Sequence, residues 1–521
     1  MFARFRVLLV AILALVLTAG CASTVTPTGV QPGDTENTSS GVVEEKVLVI
    51  GHHVDPVTLN PVTNTTAAFQ SVTASTIEQL VYFEPEGSDI LPGLAESWAF
   101  SDDGLQLTMN LKEGVIFHNG EEFNAEAAKF SLEQLKASPP YERWTQEFGD
   151  IEVVDDYTVV INFAEPTGFA LSALGRGSYV LPPAYYAELG AEEFSLAPVG
   201  TGPYQFVEWV KDDHVTFEAF EDYWGGPPAF DRIVWRVIPE DAARVAALQV
   251  GEVDLITNVT PGQANTIRND ENLRLVSIPG VRVFMTYVDS RLDHPVADPM
   301  VRRAMNYAVD KDGLVALFDG EARGLDGQYL LPGIIGYDET LDNFAYNPEK
   351  AKELLAEAGY PDGFTMTLKY PIDRYPLDKE MGETVAAYLE AVGIDVEQVP
   401  LEYGEFRRQH VEEETMGPAW MWGLATPSDP HMMVSLFGPG SIYTRFPDDQ
   451  RVFDLIDQGM RETDTATREG TYKELMAIWN EEPLGIYMIV PNDLYGMSIA
   501  IENFVPRTDQ VVDLRTTTTS E

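Results

Sequence analysis

The sequence is short of three things. It holds one cysteine, Cys21, in 521 residues. No disulfide can join two parts of the chain, and a body this large has cores enough to fold without one. It holds few cations: 34 Lys and Arg stand against 83 Asp and Glu, a formal charge of −49. A field of that sign repels nucleic acid and anionic lipid surfaces, which excludes both as ligands of the folded body. Solubility is the plainer use of such a charge. Finally, the longest apolar run, residues 7–17, has 11 residues, well short of the ~20 a membrane-spanning helix takes.

Catalytic motifs are missing as well. The chain has no G-x-S-x-G elbow, no H-E-x-x-H and no phosphate loop. Gly200-Thr201-Gly202 lacks the third glycine of a dinucleotide loop, and Pro203-Tyr204 after it reads as a strand rather than a helix. So many acids guarantee chance carboxylate pairs, so no glycosidase-like pair stands out. His52 and His53 are adjacent at an expected strand end, where successive side chains face opposite sides. They are therefore not expected to share an ion, and His118, His214, His294, His410 and His431 are scattered. No catalysis, no metal and no cofactor are expected.

What is present begins at the N-terminus. Arg4 and Arg6 precede the apolar run, and the small Ala19 and Gly20 close it before Cys21, the layout of a secretory signal. Thr18-Ala19-Gly20-Cys21 resembles the lipobox of bacterial lipoproteins, with Thr18 where leucine is more usual. The resemblance implies removal of residues 1–20 and a lipid on Cys21, which would hold everything after it outside the cytoplasm. Residues 22–45, rich in Ser, Thr, Pro and Gly, read as a flexible tether, and 516–521 as a frayed end.

The whole chain has the 45% hydrophobic content of a globular protein, and the part after the tether is too long for one core, so two or three lobes are expected. A strand is expected at 47–50 and a helix at 65–80. Strands are expected at 105–111, 115–120 and 157–163, with a helix capped by Asn124 between the last two. Asp241 is expected to cap a helix that Gly251 ends. Asp298-Pro299 and Asn347-Pro348 each start a helix, since proline in the first turn costs nothing. A helix at 379–392, stopped by Gly393, feeds a strand at 394–399. Strands alternating with helices predict α/β lobes on mixed sheets.

The order LAESW, DDG, LQLTMNLKEGVIFHNGEEFNAEAAKFSLE, followed by VGTGPY, YWGG, IVWRVIPE, VRRAMNYAVDK and NPEKAKELLAEAGYPDGF, resembles the family 5 extracellular solute-binding proteins. These are the peptide, nickel and oligosaccharide receptors of bacterial ABC importers, and the resemblance runs from about residue 45 to about 490. It implies a two-lobed periplasmic-binding-protein clamshell of the type II, cluster C kind, with a subdomain inserted in the first lobe. Lobe one would comprise 46–63, 179–282 and 486–515, the insertion 64–178, and lobe two 284–485. Residues 281–288 and 486–490 would cross between lobes as a hinge, and two crossings make closure around a ligand the natural motion.

The stretch 418–430, PAWMWGLATPSDP, is the first candidate for ligand contact: Trp420 and Trp422 before a Gly/Pro-broken loop holding Thr426 and Asp429. Peptide-binding relatives carry W-x-x-D here, the aspartate holding the ligand's ammonium. This chain has Trp422-Gly423-Leu424-Ala425, and Asp429 matches instead an acid that is chiefly structural in relatives. Either Asp429 is re-aimed or the ligand is not an ordinary free-amine peptide, because an unpaired buried ammonium costs several kcal/mol. Further wall candidates are Tyr287, Tyr370, Arg374 and Tyr375, with Arg374 suited to gripping a carboxylate.

The resemblance implies a lipid-anchored monomer that captures a small polar ligand, a peptide or peptide-like compound first of all. Its partners would be an ABC permease and ATPase, and it would touch the membrane only through lipid. An oligosaccharide receptor, a receptor feeding a sensor and, from another class, a secreted hydrolase remain open.

Overall fold

The computed structural model describes residues 45–85, 89–372, 374–425 and 429–520. The expectations for the signal, the lipid on Cys21, the tether and Thr426 lie outside them.

Helices start where the caps stand. The Asn124 side chain accepts from Glu126 N at 3.0 Å and Ala127 N at 3.1 Å, opening Ala125–Ala137. Asp298 accepts from Met300 N at 2.8 Å and Asn347 from Lys350 N at 3.0 Å. Gly393, at φ +98°, turns the chain from Asp378–Glu390 into the strand Ile394–Glu402. Three expectations change. Asp241 is the first helical residue rather than the cap, and its carboxylate engages Arg244 and Thr260. The helix expected at 65–80 is only Ala67–Thr73, because the carbonyls after it are recruited elsewhere: Ser75 O by Tyr204 N at 3.2 Å and Thr76 O by Gly202 N at 3.0 Å. A Cβ on Gly200 would lie 2.0 Å from Thr76 O, so the glycines of the GTG motif serve close backbone approach. The strand expected at 115–120 is a tight loop with one bridge, Ile116 to Glu122.

Three larger sheets form, two of them mixed. A seven-stranded sheet runs in the order Leu273–Ile278, Asp493–Ser498, Leu255–Ile256, Val47–His52, Arg232–Val237, His214–Ala219, Tyr204–Val210. A six-stranded sheet runs Ala322–Gly324, Gly485–Pro491, Arg282–Val288, Ala419–Ala425, Phe364–Ile372, Ile394–Glu402. An antiparallel four-stranded sheet holds Ala95–Phe100, Gln106–Leu111, Thr158–Phe163 and Phe148–Asp155. Each builds its own apolar core. The architecture is an α/β two-lobed clamshell. The strands Arg282–Val288 and Gly485–Pro491, expected to cross between lobes, both pair within the six-stranded sheet. The crossing itself is shorter, at 279–281 and at Asn492. No helix among the described residues is long and apolar enough to cross a membrane.

Candidate ligand-binding cleft

The two crossings touch. A Cβ on Gly280 would lie 2.1 Å from the Pro491 carbonyl oxygen, so only glycine lets the segments pass. Glu321 ties them together. Its carbonyl accepts from Asn492 N at 3.0 Å. Its carboxylate accepts from Asn492 Nδ2 at 3.1 Å and from Ser277 Oγ at 2.6 Å, and pairs with Arg268.

On either side of this junction, parallel strands end. Phe364–Ile372 runs parallel to Ile394–Glu402 and to Ala419–Ala425, and Ala419–Ala425 runs antiparallel to Arg282–Val288. Their carboxyl ends therefore share the edge at which Arg282 enters. In the other sheet Val47–His52 is parallel to Arg232–Val237 and Leu255–Ile256, with carboxyl ends at the edge where Asp493 enters. The crevice outside the carboxyl ends of strands is where open α/β sheets receive ligands.

The six-stranded side of that crevice carries an aromatic and cationic rim. Arg374, exposed, follows the carboxyl end of Phe364–Ile372, and its guanidinium lies 4.9 Å from the Tyr375 ring and 5.0 Å from the Tyr403 ring. Arg282 approaches the Tyr375 ring at 5.5 Å and donates to Gly423 O at 3.4 Å. Tyr375 hydroxyl donates to the same carbonyl at 3.1 Å. Trp422 stands edge-on to His410 at 4.3 Å and lies 5.9 Å from Tyr443. Burial holds His410 neutral, pushing its pKa down to about 3. Asp493, at the junction, is pushed up to about 6 by burial, with Arg282 opposing.

The other candidates fall elsewhere. Tyr287 and Trp420 are cross-strand partners, stacked at 6.1 Å and buried. With Phe437 and Trp479 they line a cavity of about 210 Å³ inside the six-stranded half, at the strand ends away from the crossings. Tyr370 is core: its ring packs under Gly382, where a Cβ would meet it at 2.6 Å, and its hydroxyl donates to Gln398 Oε1 at 3.0 Å. Asp429 is 2% exposed and fully engaged within the protein. It accepts from Arg468 Nη1 and Nη2 at 2.7 Å each, from Ser172 Oγ at 2.7 Å and from His431 N at 2.8 Å. Arg468 and these hydrogen bonds hold its carboxyl below the usual range, against burial. It has no oxygen left for a ligand. His52 and His53 also depart from expectation, their rings lying 4.8 Å apart, because the strand ends at His52 and alternation ends with it. Burial lowers them to about 3 and about 4.

Sequence reasoning missed Arg282, Tyr403 and Tyr443. For Arg282 a signal existed: a cation inside VRVFMTYV, an otherwise apolar strand. Tyr403 and Tyr443 carried none.

Residues 89–444 match the bacterial extracellular solute-binding proteins, family 5 Middle. The chain is 32% identical to heme-binding protein A of Haemophilus influenzae, over 77% of this chain and 79% of that one. It is 28% identical to the dipeptide-binding protein of Escherichia coli K12, over 85% and 89%. The ABC transporter-associated periplasmic binding protein DppA from Helicobacter pylori, in complex with peptide STSA, superposes with a TM-score of 0.74 at 25% identity, covering 92% of this chain and 99% of that one. The chain belongs to family 5 of the extracellular solute-binding proteins of ABC importers.

Proposed function

We propose that this protein captures a peptide-like compound in the crevice between its two mixed sheets and hands it to an ABC permease driven by its ATPase. It acts as a lipoprotein tethered through Cys21, without chemistry of its own. Lobe one comprises 46–63, 179–281 and the chain from Asn492 onward, the insertion 64–178, and lobe two 282–491. The observation that carries the reading is Arg374, held between two tyrosine rings at the carboxyl end of a parallel strand and suited to a ligand carboxylate. The dipeptide- and peptide-binding relatives support a peptide-like ligand. The oligosaccharide alternative loses support because both tryptophans offered for stacking are buried, Trp420 at 2% exposed and Trp422 at 8%.

The test is ligand-dependent thermal stabilisation of the purified protein against peptides, modified peptides, oligosaccharides and nickel. A ligand at 100 times its Kd adds about 2.7 kcal/mol. No shift with any of them, together with turnover of a chromogenic ester or glycoside, would replace the receptor with a hydrolase.

A further inference from the structure

In a chain with 83 acids and 34 Lys and Arg, a cation without an acid is unusual. Arg291 has Asp289 at 2.7 Å, Arg451 has Asp449 at 2.6 Å and Arg507 has Asp509 at 2.6 Å. Others spend themselves on carbonyls, as Arg176 does on Thr65 O at 2.9 Å, and Arg282 gives one N–H to Gly423 O at 3.4 Å. Arg143, Arg282, Arg374 and Arg407 form no ion pair among the described residues; Arg282 and Arg374 reach the rim at Tyr375, and Arg407 ends the helix that begins at Tyr403, whose ring Arg374 also meets. Arg143 and Arg407 both act electrostatically on Tyr443, which lies 5.9 Å from Trp422. Arg143 comes from the segment 64–178 and stacks on Trp144 at 4.3 Å. Two nearby acids are occupied, Glu405 by Arg408 at 2.6 Å and Glu414 by Arg445 at 2.9 Å. Among the described residues Asp493, which acts on Arg282, and Glu402, which accepts from Gly404 N at 3.1 Å, have no ion pair. Thr426, Pro427 and Ser428 add no acid, and the Asp429 carboxylate is consumed by Arg468.

We propose that the ligand is an organic polyanion, a small molecule with at least two carboxylates and no free ammonium, gripped by Arg282, Arg374 and Arg407. This rests on the receptor reading and names its ligand class. Planar guanidinium groups take carboxylates bidentately. In a strongly acidic body, they offset locally the repulsion such a ligand would otherwise meet.

Titration calorimetry of the full-length protein tests it with three probes: N-acetyl-Glu-Glu, zwitterionic Ala-Ala and uncharged N-acetyl-Ala-Ala-amide. N-acetyl-Glu-Glu should bind at least tenfold tighter than either, more weakly as salt rises, and tighter still to Asp493→Asn. Arg374→Ala and Arg407→Ala, both at exposed side chains, should each cost it tenfold or more at an unchanged melting temperature, and Arg374→Lys should recover only part. Tighter binding of Ala-Ala or of the uncharged probe would overturn the polyanion and leave the receptor standing. If no probe binds, native mass spectrometry of the gently purified protein decides. A retained molecule with two or more carboxylates and no amine supports the proposal, and any other molecule overturns it. No retained molecule overturns the receptor reading too.

Discussion

Arg468 holds Asp429 with two parallel hydrogen bonds, Nη1 to Oδ2 and Nη2 to Oδ1, both 2.7 Å. Ser172 joins them at 2.7 Å, from the helix Ala170–Gly177 packed against the strands Val81–Phe83 and Ile90–Pro92, and Gly168 N donates to Met460 O at 2.7 Å beside it. The pair is a buried staple between distant parts of the chain. Removing one partner strands a buried charge, which costs about 3–5 kcal/mol. Arg468→Met is expected to lower stability by that amount in urea titration, and Ser172→Ala by about 1 kcal/mol. Neither should alter ligand affinity in the protein that remains folded.

Gly280→Ala should be far worse than its size suggests. The added carbon would sit 2.1 Å from the Pro491 carbonyl, forcing the two crossings apart. Gly262→Ala, in a helix with open space around it, is the control and should stabilise by about 0.5–1 kcal/mol. Melting temperatures of the two variants separate the effects: a fall for the first and a small rise for the second.

Burial keeps five histidines neutral, His52 and His410 near 3 and His53, His118 and His431 near 4. The unfolded chain takes up their protons near the ordinary value of about 6.5, so it binds more protons than the native state below that pH. Stability is then fully present above about 6.5 and falls as pH drops from there toward 4. Denaturant midpoints across that window check the slope, and His410→Gln should flatten it.

Asp493 works in the opposite sense. With its pKa raised to about 6, the native state binds its proton more tightly than the unfolded chain. This carboxyl therefore destabilises the fold above pH 6 and ceases to do so below about 4. The full shift corresponds to about 3 kcal/mol, reduced to about 1–2 by the partial exposure of the residue. Asp493→Asn keeps an acceptor for Gln510, 2.7 Å away, and should raise stability at pH 7 by that amount. It should have no effect at pH 4.

Much of the fold was legible because its signals are local. Asn124, Asp298 and Asn347 cap their helices through their own side chains, and Gly393 stops its helix through its own φ. The segment 65–80 misled because its helical spacing competes with carbonyl partners at 202–204, more than a hundred residues on. Of the candidate site, only Arg374 reaches the crevice rim as a free side chain. Trp420 and Asp429 looked available because sequence shows residue type and not partner. Tyr287 stacks on the first, and Arg468, 39 positions along, takes the second. The acid-free arginines were invisible for the same reason, since an unpaired cation is a property of three-dimensional neighbours.

The central claim is that ligand sits between the sheets at the arginine and tyrosine rim. Hydrogen exchange with the most stabilising compound from the thermal screen tests it directly. Protection is expected at 279–282, 374–376, 403–407, 423–425 and 492–493, on both sides of the crossing. Protection confined to the interior cavity around Tyr287, Trp420 and Trp479, or none at the crossing, would contradict the account.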